Sequence, residues 1–87
     1  MSTSGRPRAT VTVRYWAAAK AAAGVAEETA SAATVGELLD QAAAGHGPDL
    51  ARVLARSSIL LDGRRARPED PLVDGATVEV LPPFAGG

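Results

Sequence analysis

The sequence predicts an α+β domain: a mixed sheet of about five strands, one main helix packed on it, and an extended C-terminal tail. Three observations carry this reading. Two segments, residues 10–16 and 77–81, alternate at period two and are rich in β-branched residues. Between them lies a single run with strong helical periodicity, opened by a capping signal at Thr34. Two Asp-Gly pairs, Asp62-Gly63 and Asp74-Gly75, punctuate the remainder as turns.

In residues 10–16, Val11, Val13 and Tyr15 share one strand face and Thr12, Arg14 and Trp16 the other. With the first three in the core, Trp16 falls on the outer face near the end of the last strand. Residues 17–23 are alanine around a single Lys20, and Gly24 follows. Alanine is the strongest helix former and glycine a natural stop, so one or two helical turns are expected. Residues 25–32 read as a weaker edge strand on which Glu27 and Glu28 are edge charges. Thr34 and Glu37 then form a capping box, and Val35, Leu38, Leu39, Ala42 and Ala43 line one helix face. Gly45 and Gly47 end this helix and Pro48 prevents its resumption. Residues 48–56 hold Leu50, Val53 and Leu54, enough for a short turn or a packed loop.

Residues 58–61 read as a strand, Asp62-Gly63 as a type I′ turn, and residues 64–66 as the antiparallel return. Pro68 to Pro71 make a polar turn, Leu72-Val73 a small apolar anchor, and residues 77–81 the last strand. The first and last strands have the richest alternation, which suits the sheet centre. A right-handed crossover places them side by side and parallel.

Composition excludes several functions. Eighty-seven residues make one small domain. A net charge of -1 gives no footprint for nucleic acid or an anionic membrane. With no cysteine there is no disulfide, thiolate nucleophile or Cys-based metal site. No apolar run approaches the roughly 20 residues of a membrane span. Residues 1–8 lack the apolar core of a secretion signal and read as a disordered leader on a cytoplasmic protein. One histidine and one lysine cannot supply a general acid–base or nucleophilic set, so the chain is not an enzyme on its own. His46 has no second ligand at useful spacing and reads as a residue favourable to the helix dipole rather than a metal ligand. Arg64, Arg65 and Arg67 read as a solvated edge that discourages strand pairing, with salt bridges to a partner second.

The tail, residues 82–87, reads Pro-Pro-Phe-Ala-Gly-Gly. Pro82 and Pro83 donate no backbone hydrogen bond, so the ladder stops and the backbone is held extended. Gly86 and Gly87 remove every Cβ near the carboxylate, leaving an end slender enough for a narrow channel.

Asp74-Gly75, the alternating Val78 and Val80, Pro82-Pro83 and the terminal Gly86-Gly87 resemble the small subunit of molybdopterin synthase. That family is a MoaD/ThiS-like sulfur carrier with the ubiquitin-like β-grasp fold. Softer matches lie in the strand at residues 11–16, the segment at 17–24, Thr34-Val35 and Asp62-Gly63. The likeness covers residues 9–87, with residues 9–81 as the domain and 82–87 as the tail. The two prolines favour the molybdopterin branch over thiamine-type carriers. Ala21 and Ala22 stand where the family has an acidic and a larger apolar residue, and Asp62 where it commonly has Asn.

The resemblance implies a set of roles. An E1-like adenylyltransferase would use ATP to adenylate Gly87, with no cofactor bound by the chain itself. A persulfide donor protein would then convert Gly87 to a thiocarboxylate. A large catalytic subunit would accept the tail, and the sulfur would pass to cyclic pyranopterin in molybdenum cofactor biosynthesis. Other readings are a carrier for thiamine, cysteine, thionucleoside or secondary-metabolite sulfur, a ubiquitin-like modifier conjugated to lysines, or an interaction domain. Gly87 would carry the reaction and Gly86 the slenderness. Trp16, Leu81 and Phe84, with Pro82 and Pro83, form the expected docking patch, although Trp16 also fits a partly covered surface aromatic. Lys20 is either a solvated helix residue or an ion-pair contact with the activating enzyme.

Overall fold

The computed structural model describes residues 7–83. Its elements are β1 (Ala9–Tyr15), α1 (Ala17–Ala23), β2 (Glu27–Ala32), α2 (Val35–His46), α3 (Pro48–Arg56), β3 (Ser58–Leu61), β4 (Arg64–Arg65) and β5 (Thr77–Leu81). The five strands form one sheet in the order β2-β1-β5-β3-β4. β5 is central, parallel to β1 and antiparallel to β3, with Tyr15 opposite Val80 and Ile59 opposite Val80 on the other side. The alternation of the first and last strands therefore translates into burial: Val11, Val13, Tyr15, Val78 and Val80 all face the core. β2 lies at an edge, as its weaker pattern predicts.

Local chemistry sets the boundaries. Gly24 caps α1 in the left-handed region (φ 81°) and its N–H donates to the Lys20 carbonyl. At α2, the Glu37 N–H donates to Thr34 Oγ1 at 3.2 Å, while Glu37 Oε1 accepts from the Ala33 N–H at 2.6 Å. The capping box thus closes one residue before the N-cap. Asp62 and Gly63 both have positive φ, 49° and 86°, the geometry of a type I′ turn. Gly36 lies under the turn at residues 67–70, where an added Cβ would come within 3.1 Å of the Pro68 carbonyl oxygen.

The helical layer differs from the expectation of one main helix. Residues 48–56 form a full helix, α3, rather than a turn or loop. Gly45 lies inside α2, and only Gly47 ends it. Gly47 turns the chain (φ 100°) and Pro48 then occupies the first turn of α3. A proline there loses nothing, because that N–H has no helical partner. α3 packs against α2 and α1 and buries Leu50 completely. Of the apolar pair before β5, Leu72 is buried and Val73 is exposed.

Candidate functional site

Because β1 and β5 run parallel as neighbours, their C-terminal ends reach the same rim of the sheet. The Trp16 backbone N–H donates to the Val80 carbonyl at 3.2 Å, which ties its main chain to the end of β5. A groove of about 630 Å³ opens at this rim. It is lined by Trp16, Ala17 and Ala18 where α1 begins, Arg56 and Ser58 where α3 gives way to β3, and Leu81, Pro82 and Pro83 at the exit of β5. The structure thus unites Trp16, Leu81, Pro82 and Pro83 of the expected docking patch. Lys20 is exposed beside Trp16 but borders a neighbouring hollow with Arg14 and Glu27. Phe84, Gly86 and Gly87 lie outside the described residues.

The indole is 41% exposed, and its orientation is set by polar neighbours. Trp16 Nε1 donates to Glu79 Oε2 at 3.2 Å, and the Arg14 guanidinium lies 5.2 Å from the ring centroid. Arg14 also pairs with Glu27 at 3.5 Å. The strand registers extend this into a row across the outer face: Glu27, Arg14, Glu79, Leu60 and Arg65. Arg56 and Ser58 of the groove were not among the residues singled out from sequence. Their only signal is position, at the end of α3 and the start of β3, where no motif marks them.

A second polar cluster stands on the helical side. Glu28 accepts from the Tyr15 hydroxyl at 2.6 Å and bonds His46 Nε2 at 2.7 Å, and the two rings meet edge to face at 5.9 Å. A cavity of about 350 Å³ borders these three groups together with Gln41, Val13 and Leu38. Burial alone would raise the Glu28 carboxyl. The hydrogen bonds from Tyr15 and His46 and the charge of His46 outweigh it and hold the carboxyl below its ordinary range. Burial, reinforced by the Glu28 carboxylate, pushes the Tyr15 phenol far above its ordinary value. Glu28 is therefore a half-buried acceptor rather than a plain edge charge, and His46 ties the end of α2 to β2.

Among the described residues, no three His, Cys, Asp or Glu side chains gather as a metal site. Nor is any described helix long and apolar enough to cross a membrane.

The comparisons agree with this geometry. The ThiS family matches over residues 13–87. The chain is similar to the solution structure of small archaeal modifier protein 1 from Methanosarcina acetivorans, at 26% identity and TM-score 0.81, covering 92% of this chain and 98% of that one. It is also similar to a Pyrococcus furiosus chain described as molybdopterin converting factor subunit 1, at 28% identity and TM-score 0.79, covering 87% and 99%. A chain in the complex of subunits 1 and 2 of molybdopterin-converting factor from Helicobacter pylori matches at 26% identity and TM-score 0.66, covering 90% and 99%. No curated protein matches the sequence.

A five-stranded mixed sheet with its central strand leading into a Pro-Pro exit defines a ubiquitin-fold, β-grasp sulfur carrier of the ThiS/MoaD type. Within that class, the chain belongs to the ThiS family.

Proposed function

We propose that this protein is the sulfur-donating small subunit of a molybdopterin synthase, working from the carboxylate of Gly87. The observation that carries the reading is that the family match extends to residue 87, beyond a central strand whose ladder is stopped by Pro82 and Pro83. Likeness to subunit 1 of a molybdopterin converting factor supports the molybdenum pathway among carriers.

The chemistry follows from the weakness of a carboxylate as an electrophile. An E1-like partner transfers AMP from ATP to the Gly87 carboxylate, releasing pyrophosphate and creating a good leaving group. A persulfide sulfur of a donor protein attacks the acyl carbon and displaces AMP. A thiol of the donor then cleaves the resulting S–S bond, leaving the thiocarboxylate here and a disulfide there. Gly86 keeps the approach free of a side chain. Trp16, Leu81, Pro82, Pro83 and Phe84 dock the large catalytic subunit, which transfers the sulfur to cyclic pyranopterin. Lys20 contributes to the contact with the activating enzyme.

The test is an intact-mass measurement after incubation with ATP, the E1-like enzyme and a persulfide donor. The expected result is replacement of one C-terminal oxygen by sulfur, abolished in Gly86→Leu. Efficient thiocarboxylation of Gly86→Leu would sink the assignment. Co-purification with a pterin-binding large subunit, weakened by Phe84→Ala, supports the molybdenum pathway; unchanged affinity counts against the docking patch.

Similarity to small archaeal modifier protein 1 favours a second reading, in which the same tail is conjugated to protein lysines. Isopeptide adducts ending in Gly-Gly on lysine would select it.

A further inference from the structure

Among the described residues, one charged side chain lines the groove at the exit of β5, that of Arg56. Trp16, Ala18, Leu81, Pro82 and Pro83 make most of the lining apolar, and Ser58 adds a hydroxyl. Arg56 is exposed in the last turn of α3 and also borders the adjoining hollow between α1 and α3. The cations nearby are matched: Arg14, beside the indole, pairs with Glu27, and Arg52, in the hollow, pairs with Asp49. Arg56 enters none of the ion pairs formed among the described residues.

A cation in the last turn of a helix favours the helix dipole wherever its guanidinium points. Lining an apolar groove is a separate property with a separate consequence. A partner that fills the groove excludes water from the guanidinium, and a charge stripped of water is costly unless an opposite charge meets it. A carboxylate meets a guanidinium best, through two parallel hydrogen bonds. Charge complementarity therefore specifies the occupant: an aspartate or glutamate carried beside an apolar side chain. We propose that the large catalytic subunit seats such a segment here, its carboxylate on Arg56 and its apolar neighbour on Trp16 and Leu81, so that Arg56 determines which partner docks. The identity of the partner rests on the carrier reading. The charge requirement is additional, because an apolar patch alone does not impose it.

The test is calorimetric titration of the full, unmodified chain with the purified large subunit at low and high salt. Arg56→Gln is expected to weaken binding about tenfold at low salt, and Arg56→Glu to weaken it further. Arg56→Lys is expected to recover only part, because an ammonium lacks the planar fork. Added salt is expected to weaken the wild type more than Arg56→Gln. Unfolding midpoints measured alongside read the helix-dipole role, which moves stability and leaves the salt dependence of binding unchanged. Three results overturn the proposal. Equal affinity and equal salt dependence for the wild type and Arg56→Gln remove Arg56 from the interface and leave the carrier reading standing. A wild-type dimer that Arg56→Glu dissolves assigns the groove to a second copy. A wild type that does not bind the large subunit at all overturns the choice of partner, and this occupant with it.

Discussion

Glu28 is the residue on which opposing electrostatic effects meet. Burial favours its neutral form; the Tyr15 hydroxyl, His46 Nε2 and the imidazole charge favour the carboxylate and prevail. Its folded pKa lies below the unfolded value, so its contribution to stability is present above the unfolded pKa and lost as pH falls through the folded one. Urea midpoints taken from neutral pH to below 4.5, the ordinary value of this carboxyl, are expected to fall more steeply in the wild type than in Glu28→Gln. Parallel curves would remove Glu28 from the acid response. Tyr15 has the opposite sign in pH. Its raised pKa stabilises the fold below the unfolded value of 10.0, and the benefit declines as alkali forces ionisation. As the sole tyrosine, it is expected to show no phenolate absorbance until the protein unfolds. The sequence held no route to this cluster. Period two places Glu28 on the face with Ala30, but not under the end of α2, and no spacing rule joins residues 13 and 18 positions apart. Thr34 is the contrasting case: its signal is local, its hydroxyl caps α2 as expected, and Thr34→Ala should cost about 1 kcal/mol in denaturant unfolding.

At the level of elements, legibility follows whether a segment's own period coincides with its burial. β1, β5 and α2 satisfy this, and each lies where its pattern places it. α3 does not, because Gly47-Pro48 carries two stop signals in succession and the eight helical residues after it make too few turns to fix a period. The same two residues serve both ends of a corner: Gly47 closes α2 and Pro48 opens α3. Leu50 discriminates between a loop and a helix anchored in the core. It has no exposed surface, so Leu50→Ala is expected to lower the unfolding free energy by about 2–5 kcal/mol. A loop residue with solvent around it would give within about 0.5 kcal/mol. Chemical denaturation followed by circular dichroism separates the two outcomes.

Across the whole molecule, the parallel pairing of β1 and β5 unites two residues that are far apart in the chain. Trp16 at the end of one strand meets Leu81 and Pro82 at the end of the other, so the indole and the Pro-Pro exit share a rim. This pairing was legible in the sequence because the alternation of the two strands argues for central positions, and a crossover makes central neighbours parallel. Arg56 and Ser58 were not legible there, since the course of α3 decides which residues face that rim. Stability and chemistry are expected to separate: among the described residues, the buried core runs from Ala9 to Val80. A chain ending at Pro83 should therefore unfold cooperatively, with a loss of stability small beside that of Leu50→Ala. It should also fail to gain sulfur from ATP, the activating enzyme and a persulfide donor. Leu50→Ala should do the reverse, accepting sulfur at temperatures where it remains folded while unfolding at lower denaturant. Melting curves and intact masses of the two variants, compared side by side, test the division. A truncation that destabilises as much as Leu50→Ala would make the tail part of the fold it leaves.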